Sequence, residues 1–313
     1  MAHTVYENFF LSSTVEDQFN SHLDLQTFFT VDNSLVGNPG MKRKINVYRA
    51  TNGTQKLAMG AGNTESIEVS YIQKEYDILL AQNRFKYYDE QAMTDPMLVP
   101  VGMRHAATDM FNTVNADFYG ELAKATRVVP VASIGFNAFA DAQSMLESEN
   151  IEGEATFAFV SPADMATIRK TLKDDLKYVE SFARTGYVGT VAGTNLYIKK
   201  DATPGEIYLA TKEAVTLFNK KGVEVEQSLP GSRSADDANI RQSTIYTRKY
   251  YLAALTNENK AIKIAVGATA TVSTDTSASS SKTYYAPDGL GYVKVEGAKS
   301  SDNPSTKGWY EIA

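Results

Sequence analysis

Apolar and polar positions alternate with a period of two at two places early in the chain. Ile45 and Val47 alternate with polar neighbours, as do Ile67, Val69 and Tyr71. This patterning predicts two strands, each with one apolar face. Between them, Thr51 to Asn63 (TNGTQKLAMGAGN) is rich in glycine and small residues. Residues 41–75 therefore read as a long hairpin with a loose tip. Upstream, Phe9-Phe10 and Phe28-Phe29 stand as apolar pairs between polar stretches, and Gly37-Asn38-Pro39-Gly40 signals a turn. Residues 1–40 read as an extended arm with some helix.

The period then changes. Met103, Ala107, Met110, Val114, Phe118, Leu122 and Ala125 recur at steps of three and four, while Asp109, Asp117, Glu121 and Lys124 lie off that stripe. This predicts a helix over 95–126, with Asp95 as N-cap and Pro96 in the first turn. A helix of about thirty residues spans about 45 Å. Pro130 ends the pattern inside a strand over Val128–Ser133. Further helices are predicted over 136–150 and from Ser161-Pro162-Ala163-Asp164 to about Lys173, where Ser161 suits the N-cap and Pro162 the first helical position. Strands are predicted over 155–160, 187–200, 205–210, 223–228 and 241–254, with a short helical or irregular piece at Lys212–Asn219 and a polar loop at Leu229–Ala238. Ten of the fifteen residues from Thr269 to Thr283 are Ser or Thr, which suits a linker or a polar strand. A turn at Pro287-Asp288-Gly289 and short strands at Tyr292–Val295 and Trp309–Ile312 complete a small β extension, resting on the main body or on a neighbour.

The hairpin cannot stand alone. Its five apolar side chains contribute at most about 15 kcal/mol on burial, while ordering about thirty residues costs ~1–2 kcal/mol apiece. It must lie on another surface, either its own domain or a neighbouring subunit.

Composition narrows the classes. The 313 residues, 43% hydrophobic and 22% charged, suit one large or two modest domains with a substantial core. A net charge of -6 argues against dedicated nucleic-acid binding, though not against enclosing nucleic acid passively. The absence of cysteine excludes disulfides, thiolate metal sites and cysteine nucleophiles. No secretory signal or membrane-spanning run is legible.

Candidate chemistry is sparse. His3, His22 and His105 are far apart and form no metal-ligand spacing. Gly60-Ala61-Gly62 lacks a third glycine and precedes a strand, so it offers no phosphate cradle. The acid pairs Asp174-Asp175 and Asp236-Asp237 read as solvated surface, and no nucleophile elbow occurs. No catalytic, metal or cofactor site is expected. What stands out is basic charge on the hairpin of an acidic chain: Lys42, Arg43, Lys44, Arg49 and Lys56. These residues either guard a solvated edge or set register against acidic patches on neighbours.

Three segments in order carry a resemblance: FAFVSPADMATIRKTL (157–172), GYVGTVAGTNLYIKKDATPGEIYLATKEAVTLFNKKGVEVEQS (186–228) and IYTRKYYLAALTNENKAIKI (245–264). With the basic hairpin and the long helix, they resemble the major capsid proteins of tailed bacteriophages over roughly residues 30–264. The resemblance implies an α+β fold of the Hong Kong 97 phage type. Its parts would be an N-terminal arm (1–40), an extended loop (41–90), a peripheral domain (91–134 and 223–264) with a spine helix (95–126), an axial domain (135–222) and the C-terminal extension (265–313). It implies hexamers and pentamers in a closed shell around double-stranded DNA, a portal protein, possible decoration proteins, and inter-subunit contacts at Lys42, Arg43, Lys44, Arg49, Lys56 and Met59. Because the arm opens the chain almost directly, a separate scaffolding protein, or none, is expected. A Lys–Asn cross-link of the kind some members form would involve Lys56 and Asn257 or Asn259. Two other readings stay open: an encapsulin-like nanocompartment shell, and a surface-binding β protein suggested by the Tyr-rich, Ser/Thr-rich C-terminus.

Overall fold

The computed structural model describes residues 25–50, 54–146, 155–173, 189–228, 239 and 241–312. In chain order the elements are β1 (Thr30–Asp32), β2 (Lys42–Ala50), β3 (Val69–Asp77), β4 (Leu79–Tyr88), α1 (Asp89–Thr94), α2 (Leu98–Leu122), β5 (Arg127–Val131), α3 (Phe136–Ser144), β6 (Thr156–Val160), α4 (Pro162–Thr171), β7 (Thr190–Val191), β8 (Thr194–Ile198), β9 (Glu206–Thr211), β10 (Val215–Ser228), β11 (Gln242–Leu255), β12 (Ala261–Val266), β13 (Ala270–Val272), β14 (Tyr285–Asp288), β15 (Gly291–Lys294) and β16 (Tyr310–Ile312). They form three sheets: a four-stranded one in the order β1-β10-β11-β4, a ten-stranded one in the order β13-β16-β14-β15-β5-β12-β9-β6-β8-β7, and the hairpin β2-β3.

One apolar strand of the ten-stranded sheet contributes to both main cores. β6, TFAFV, is buried along its whole length, the continuous run expected of a strand covered on both faces. Ala158 and Val160 face a core with Phe139 of α3, Ile168 of α4 and Ile207, Leu209, Ile262 and Ile264. Phe157 and Phe159 face the opposite way, into a core with Val114, Phe118 and Leu122 of α2 and Leu217 and Leu255 of the four-stranded sheet. The period of two thus sends alternate β6 residues into two different cores.

Phe28-Phe29 ties the arm into the second core. Phe29 stacks on Phe118 at 5.5 Å between centroids and meets Phe157 edge-on at 5.4 Å. Phe28 packs against Phe157, Phe159 and Tyr197 at 5.2, 5.4 and 4.5 Å. Just upstream, the Leu25 N–H donates to buried Asn115 Oδ1 at 3.1 Å.

Several elements differ from the sequence reading in instructive ways. The long helix runs over 98–122, not 95–126. Asp95 Oδ1 accepts the Met97 N–H at 2.9 Å, and the Asp95 N–H closes α1 on the Gln91 carbonyl at 2.9 Å, so Asp95 breaks two helices apart instead of capping one. The piece at Lys212–Asn219 is strand from Val215 onward. Val215 and Leu217 are fully buried there, and β-branched and aromatic residues suit that half-buried pleat. β4 and α1 were not anticipated. β4 alternates only in its second half, and Asn83 on its inner side bonds the Ala106 carbonyl at 2.7 Å, a polar residue where the pattern calls for an apolar one. β5 and β12, which the sequence reading grouped with the long helix, pair in parallel inside the ten-stranded sheet. At α4 the expectation holds closely: Ser161 is the N-cap, its Oγ accepts the Asp164 N–H at 3.1 Å, and Pro162 opens the helix.

The C-terminal strands extend the main body. β15 pairs with β5 at Tyr292↔Val128 and Val293↔Arg127, and the Lys294 N–H donates to the Thr126 carbonyl at 2.8 Å. A small core of Ala278, Tyr284 and Trp309 sits within the extension. The Ser/Thr-rich stretch is pinned by polar side chains: the Tyr284 hydroxyl and the Lys282 ammonium both donate to Asp275, at 2.7 and 2.9 Å, and the Ser273 hydroxyl donates to Glu311 at 2.6 Å.

Candidate inter-subunit surfaces

The hairpin is held at its root and bare above it. β2 and β3 pair from Lys42↔Asp77 to Ala50↔Val69. At the root the Ile78 N–H donates to the Met41 carbonyl at 2.8 Å, Lys74 pairs with Glu258, the Tyr76 hydroxyl reaches the Leu255 carbonyl at 3.5 Å, and the Arg43 guanidinium lies over the Phe218 ring at 5.3 Å. Further out, Leu57, Ile67, Val69 and Tyr71 are exposed, and Met59 is fully so. Exposed apolar side chains spread over one projecting element mark a surface that a partner covers. Their own subunit offers them no cover among the described residues.

The basic residues singled out from sequence take three different positions. Lys42 and Lys44 pair across the hairpin with Asp77 (3.4 Å) and Glu75. The Lys44 hydrogen bond and charge hold the Glu75 carboxyl below its ordinary pKa. Such exposed pairs contribute little to stability because solvent screens them, so either lysine can exchange its partner at little cost. Arg43 turns inward, its Nε buried with no hydrogen-bond partner among the described residues. Arg49 stands opposite Ser70 near the tip, and Lys56 is exposed in the tip loop, where Thr64 N–H bonds Gln55 Oε1 at 3.3 Å. Acids at 75 and 77 mirror the lysines at 44 and 42, a signal legible in the sequence once the register is known.

Two concave surfaces flank the root. One, of about 540 Å³, runs between Arg43 and Ile45 on the hairpin and Val31, Asp32 and Phe218 on the edge of the four-stranded sheet. The other, of about 280 Å³, alternates lysines 74, 124 and 294 with glutamates 121, 258 and 296. It joins the hairpin, the end of α2 and the C-terminal extension.

A polar junction fixes α2 to the ten-stranded sheet. The Tyr208 hydroxyl donates to Glu206 at 2.9 Å, and the Lys263 ammonium donates to the same carboxylate at 2.6 Å. The Lys263 hydrogen bond is the main cause of a lowered Glu206 pKa. Tyr119 of α2 meets Tyr208 edge-on at 5.3 Å, and the buried Lys199 ammonium lies 4.7 Å from the Tyr119 ring centre. Burial pushes both tyrosine hydroxyls well up. This set was not anticipated from sequence.

Other sequence candidates fall apart in space. His105 is exposed on α2, and Gly60-Ala61-Gly62 lies in the tip loop. His3, His22, Asp174-Asp175, Asp236-Asp237 and the loop 229–238 lie outside the described residues. Asn257 and Asn259 sit in a turn at the hairpin root, where Asn257 Oδ1 accepts the Asn259 N–H at 3.3 Å. Lys56 lies in the tip loop, beyond the paired residues that run from Lys42↔Asp77 to Ala50↔Val69. Among the described residues no group of three His, Cys, Asp or Glu side chains could hold a metal ion, and no helix is long and apolar enough to cross a membrane.

An arm bolted into a core, a projecting hairpin, a long helix on one sheet and a second sheet carrying two helices together define the capsid fold of tailed bacteriophages, of the Hong Kong 97 phage type. The solved capsid of cyanophage P-SCSP1u matches with a TM-score of 0.63 at 12% identity, over 84% of this chain and 93% of that one. The mature capsid of bacteriophage PhiM1 matches with a TM-score of 0.61 at 10% identity, over 85% and 92%. In sequence, the major capsid protein of Staphylococcus phage phiMR11 is 24% identical over 268 residues, 82% of this chain and 92% of that protein. No protein-family profile matches the chain.

Proposed function

We propose that this chain is the major capsid protein of a tailed bacteriophage and assembles with its own copies into an icosahedral shell around the genome. The observation that carries the reading is the hairpin, rooted by hydrogen bonds and an ion pair but bare of cover above its root. In this reading the hairpin lies across a neighbouring subunit. Its tip residues Lys56 and Met59 and its outer charges Lys42, Lys44 and Arg49 touch that neighbour, while Arg43 sets the hairpin's angle on its own subunit. The four-stranded sheet with α2 is the peripheral domain, the ten-stranded sheet with α3 and α4 is the axial domain, and residues 1–40 are the arm. The body forms hexamers and pentamers, a portal protein takes one vertex, and assembly takes place in the host cytoplasm with a separate scaffolding protein. The acidic balance suits an inner wall that encloses double-stranded DNA without gripping it. The C-terminal strands continue the main sheet, so nothing marks them off as a free-standing binding module.

Expression of the chain, gradient separation of large assemblies and electron microscopy test this directly. Closed shells of uniform size are expected, alone or with the scaffolding protein encoded nearby. Only small species under both conditions would overturn the reading. Lys42→Glu/Lys44→Glu, which spares Arg43, is expected to cut shell yield while leaving the subunit folded. Unchanged yield would remove those charges from docking.

A further inference from the structure

The hairpin meets its own subunit through one face. Arg43 pairs with Tyr76 and Ile45 with Lys74 in the ladder, so all four side chains stand on one side of the pleat. Arg43 rests over Phe218 and Tyr76 reaches the Leu255 carbonyl. A void adjoins each half of this seat: Arg43 and Ile45 line one, Lys74 and Tyr76 the other. A projecting element seated between two voids is a lever with room to tilt. Its ladder spans about 30 Å, so a tilt of roughly ten degrees at the root carries the far end by about 5 Å.

The void beside Lys74 and Tyr76, of about 280 Å³, is also lined by the C-terminal extension, through Lys294 and Glu296. The backbone there is held at two points: the Lys294 N–H donates to the Thr126 carbonyl and the Val295 N–H to the Tyr284 carbonyl, both at 2.8 Å. The extension therefore presents the two charges from a fixed place. Both residues are exposed, and neither has an ion-pair partner among the described residues. Lys74, by contrast, is paired with Glu258 and Lys124 with Glu121. The Tyr76 hydroxyl registers the arrangement: burial raises its pKa, and the charges of Glu121 and Glu296 raise it further. We propose that the C-terminal extension is an electrostatic strap on the hairpin, in which Glu296 attracts Lys74 across the void and biases the hairpin to tilt toward the extension. Lys294 offsets the carboxylates of Glu121 and Glu258 in the same void. Exposed charges attract weakly in water, so the strap biases the tilt without locking it, and salt releases it. This inference concerns the single subunit and stands or falls independently of shell assembly.

The absence of cysteine makes the test clean. Spin labels are placed in the full chain at Lys56→Cys in the tip loop and Ser301→Cys in the extension, both exposed positions. The distance between them is read by double electron–electron resonance on dilute protein. At low salt, Glu296→Lys, which sets a second cation against Lys74, is expected to lengthen the mean distance by about 5 Å or more, and Glu296→Gln by less. Raising salt from about 0.01 M to about 1 M shortens the screening length from about 30 Å to about 3 Å. That change is expected to lengthen the distance in the otherwise unaltered chain and to leave Glu296→Gln unmoved. Trp309 emission checks that the extension stays docked. If Glu296→Lys shifts that emission, the salt series and Glu296→Gln decide the question. Identical distance distributions with and without the Glu296 substitutions, or a salt response in Glu296→Gln as large as with Glu296 in place, would each overturn the proposal.

Discussion

Replacing Gly291 by alanine should detach the C-terminal extension while leaving the body folded. A Cβ at that position would lie 2.2 Å from Met145 Sδ and 2.9 Å from the Val128 carbonyl oxygen. Neither can yield. Met145 is 5% exposed within the core under β5, and Val128 is fixed by its pairing with Lys263 of β12. β15 must therefore lift away, losing its ladder to β5 and the Lys294–Thr126 hydrogen bond. Overpacking costs ~1–3 kcal/mol and each lost hydrogen bond ~0.5–1.5 kcal/mol, so docking weakens by about 2–5 kcal/mol. The extension's own core holds only three buried hydrophobic residues, too few to keep it folded alone. Trp309, the single tryptophan, lies in that core 5.8 Å from Tyr284, so its fluorescence reports this region alone. In urea, tryptophan emission of Gly291→Ala should shift at a midpoint lower by roughly 1 M or more, given ~1–3 kcal/mol/M for small proteins. The far-ultraviolet dichroism transition of the body should stay in place. Gly289→Ala is the control: its φ of +57° strains an L residue, but a Cβ there meets open space, so only ~1–2 kcal/mol is expected. Coincident tryptophan transitions in wild type and Gly291→Ala would refute the reasoning.

Other perturbations probe the body. Phe29→Ala empties a site shared by the arm, α2 and β6, and should cost ~3–5 kcal/mol by chemical denaturation; a loss below about 1 kcal/mol would mean the arm is not wedged there. Gly102→Ala puts a Cβ 2.5 Å from the Phe85 ring and should cost ~1–3 kcal/mol, with part recovered in Gly102→Ala/Phe85→Leu. Glu206 has a folded pKa below its ordinary 4.5, so its stabilising contribution is present above that ordinary value and lost as pH falls through the depressed one. Melting temperature should therefore drop on acidification below about pH 4.5, and Lys263→Met should flatten part of that slope; an unchanged slope would show that the pair contributes nothing to acid stability.

Local signals carried much of this architecture. The period-two residues Ile45, Val47, Val69 and Tyr71 of the hairpin, the α2 stripe from Met110 to Leu122 and the Ser161-Pro162 helix start each act over a few residues and appear in the structure where the pattern puts them, whereas Ile67 lies before β3 and Ala125 beyond the end of α2. What the pattern could not supply was long-range pairing. Nothing local to VVPV or to AIKIAV says that β5 and β12 lie side by side in parallel, because such strands are joined by a crossover of arbitrary length. The partnership of Glu206 with Lys263 is hidden for the same reason, with 57 residues between them. Asp95 misled because an aspartate before a proline looks the same whether it caps a helix or separates two. Met103 and Ala107 do lie on α2 where the stripe puts them, though less covered by the described residues than Met110 and Val114.

The unequal treatment of sheet edges explains how such a subunit can tile without polymerising at random. An unpaired edge is a template for another chain, and short or covered edges blunt that hazard. The ten-stranded sheet ends in β7 and β13, of two and three residues, because β15 covers the edge that β5 would otherwise expose. The four-stranded sheet is different: it ends in β4, ten residues long, with Leu79 and Leu80 exposed. Bare hairpin and long edge both lie on the α2 half of the molecule. Generic edge pairing would add copies in an open-ended row, since a head-to-tail contact closes only when its rotation fits. Under the proposed function, a hairpin with a fixed root and a defined cross-strand charge pattern would bind instead at one angle. In a shell subunit, that places the decision about curvature on the root of the hairpin, where Lys74, Tyr76 and Arg43 hold it against Glu258, Leu255 and Phe218.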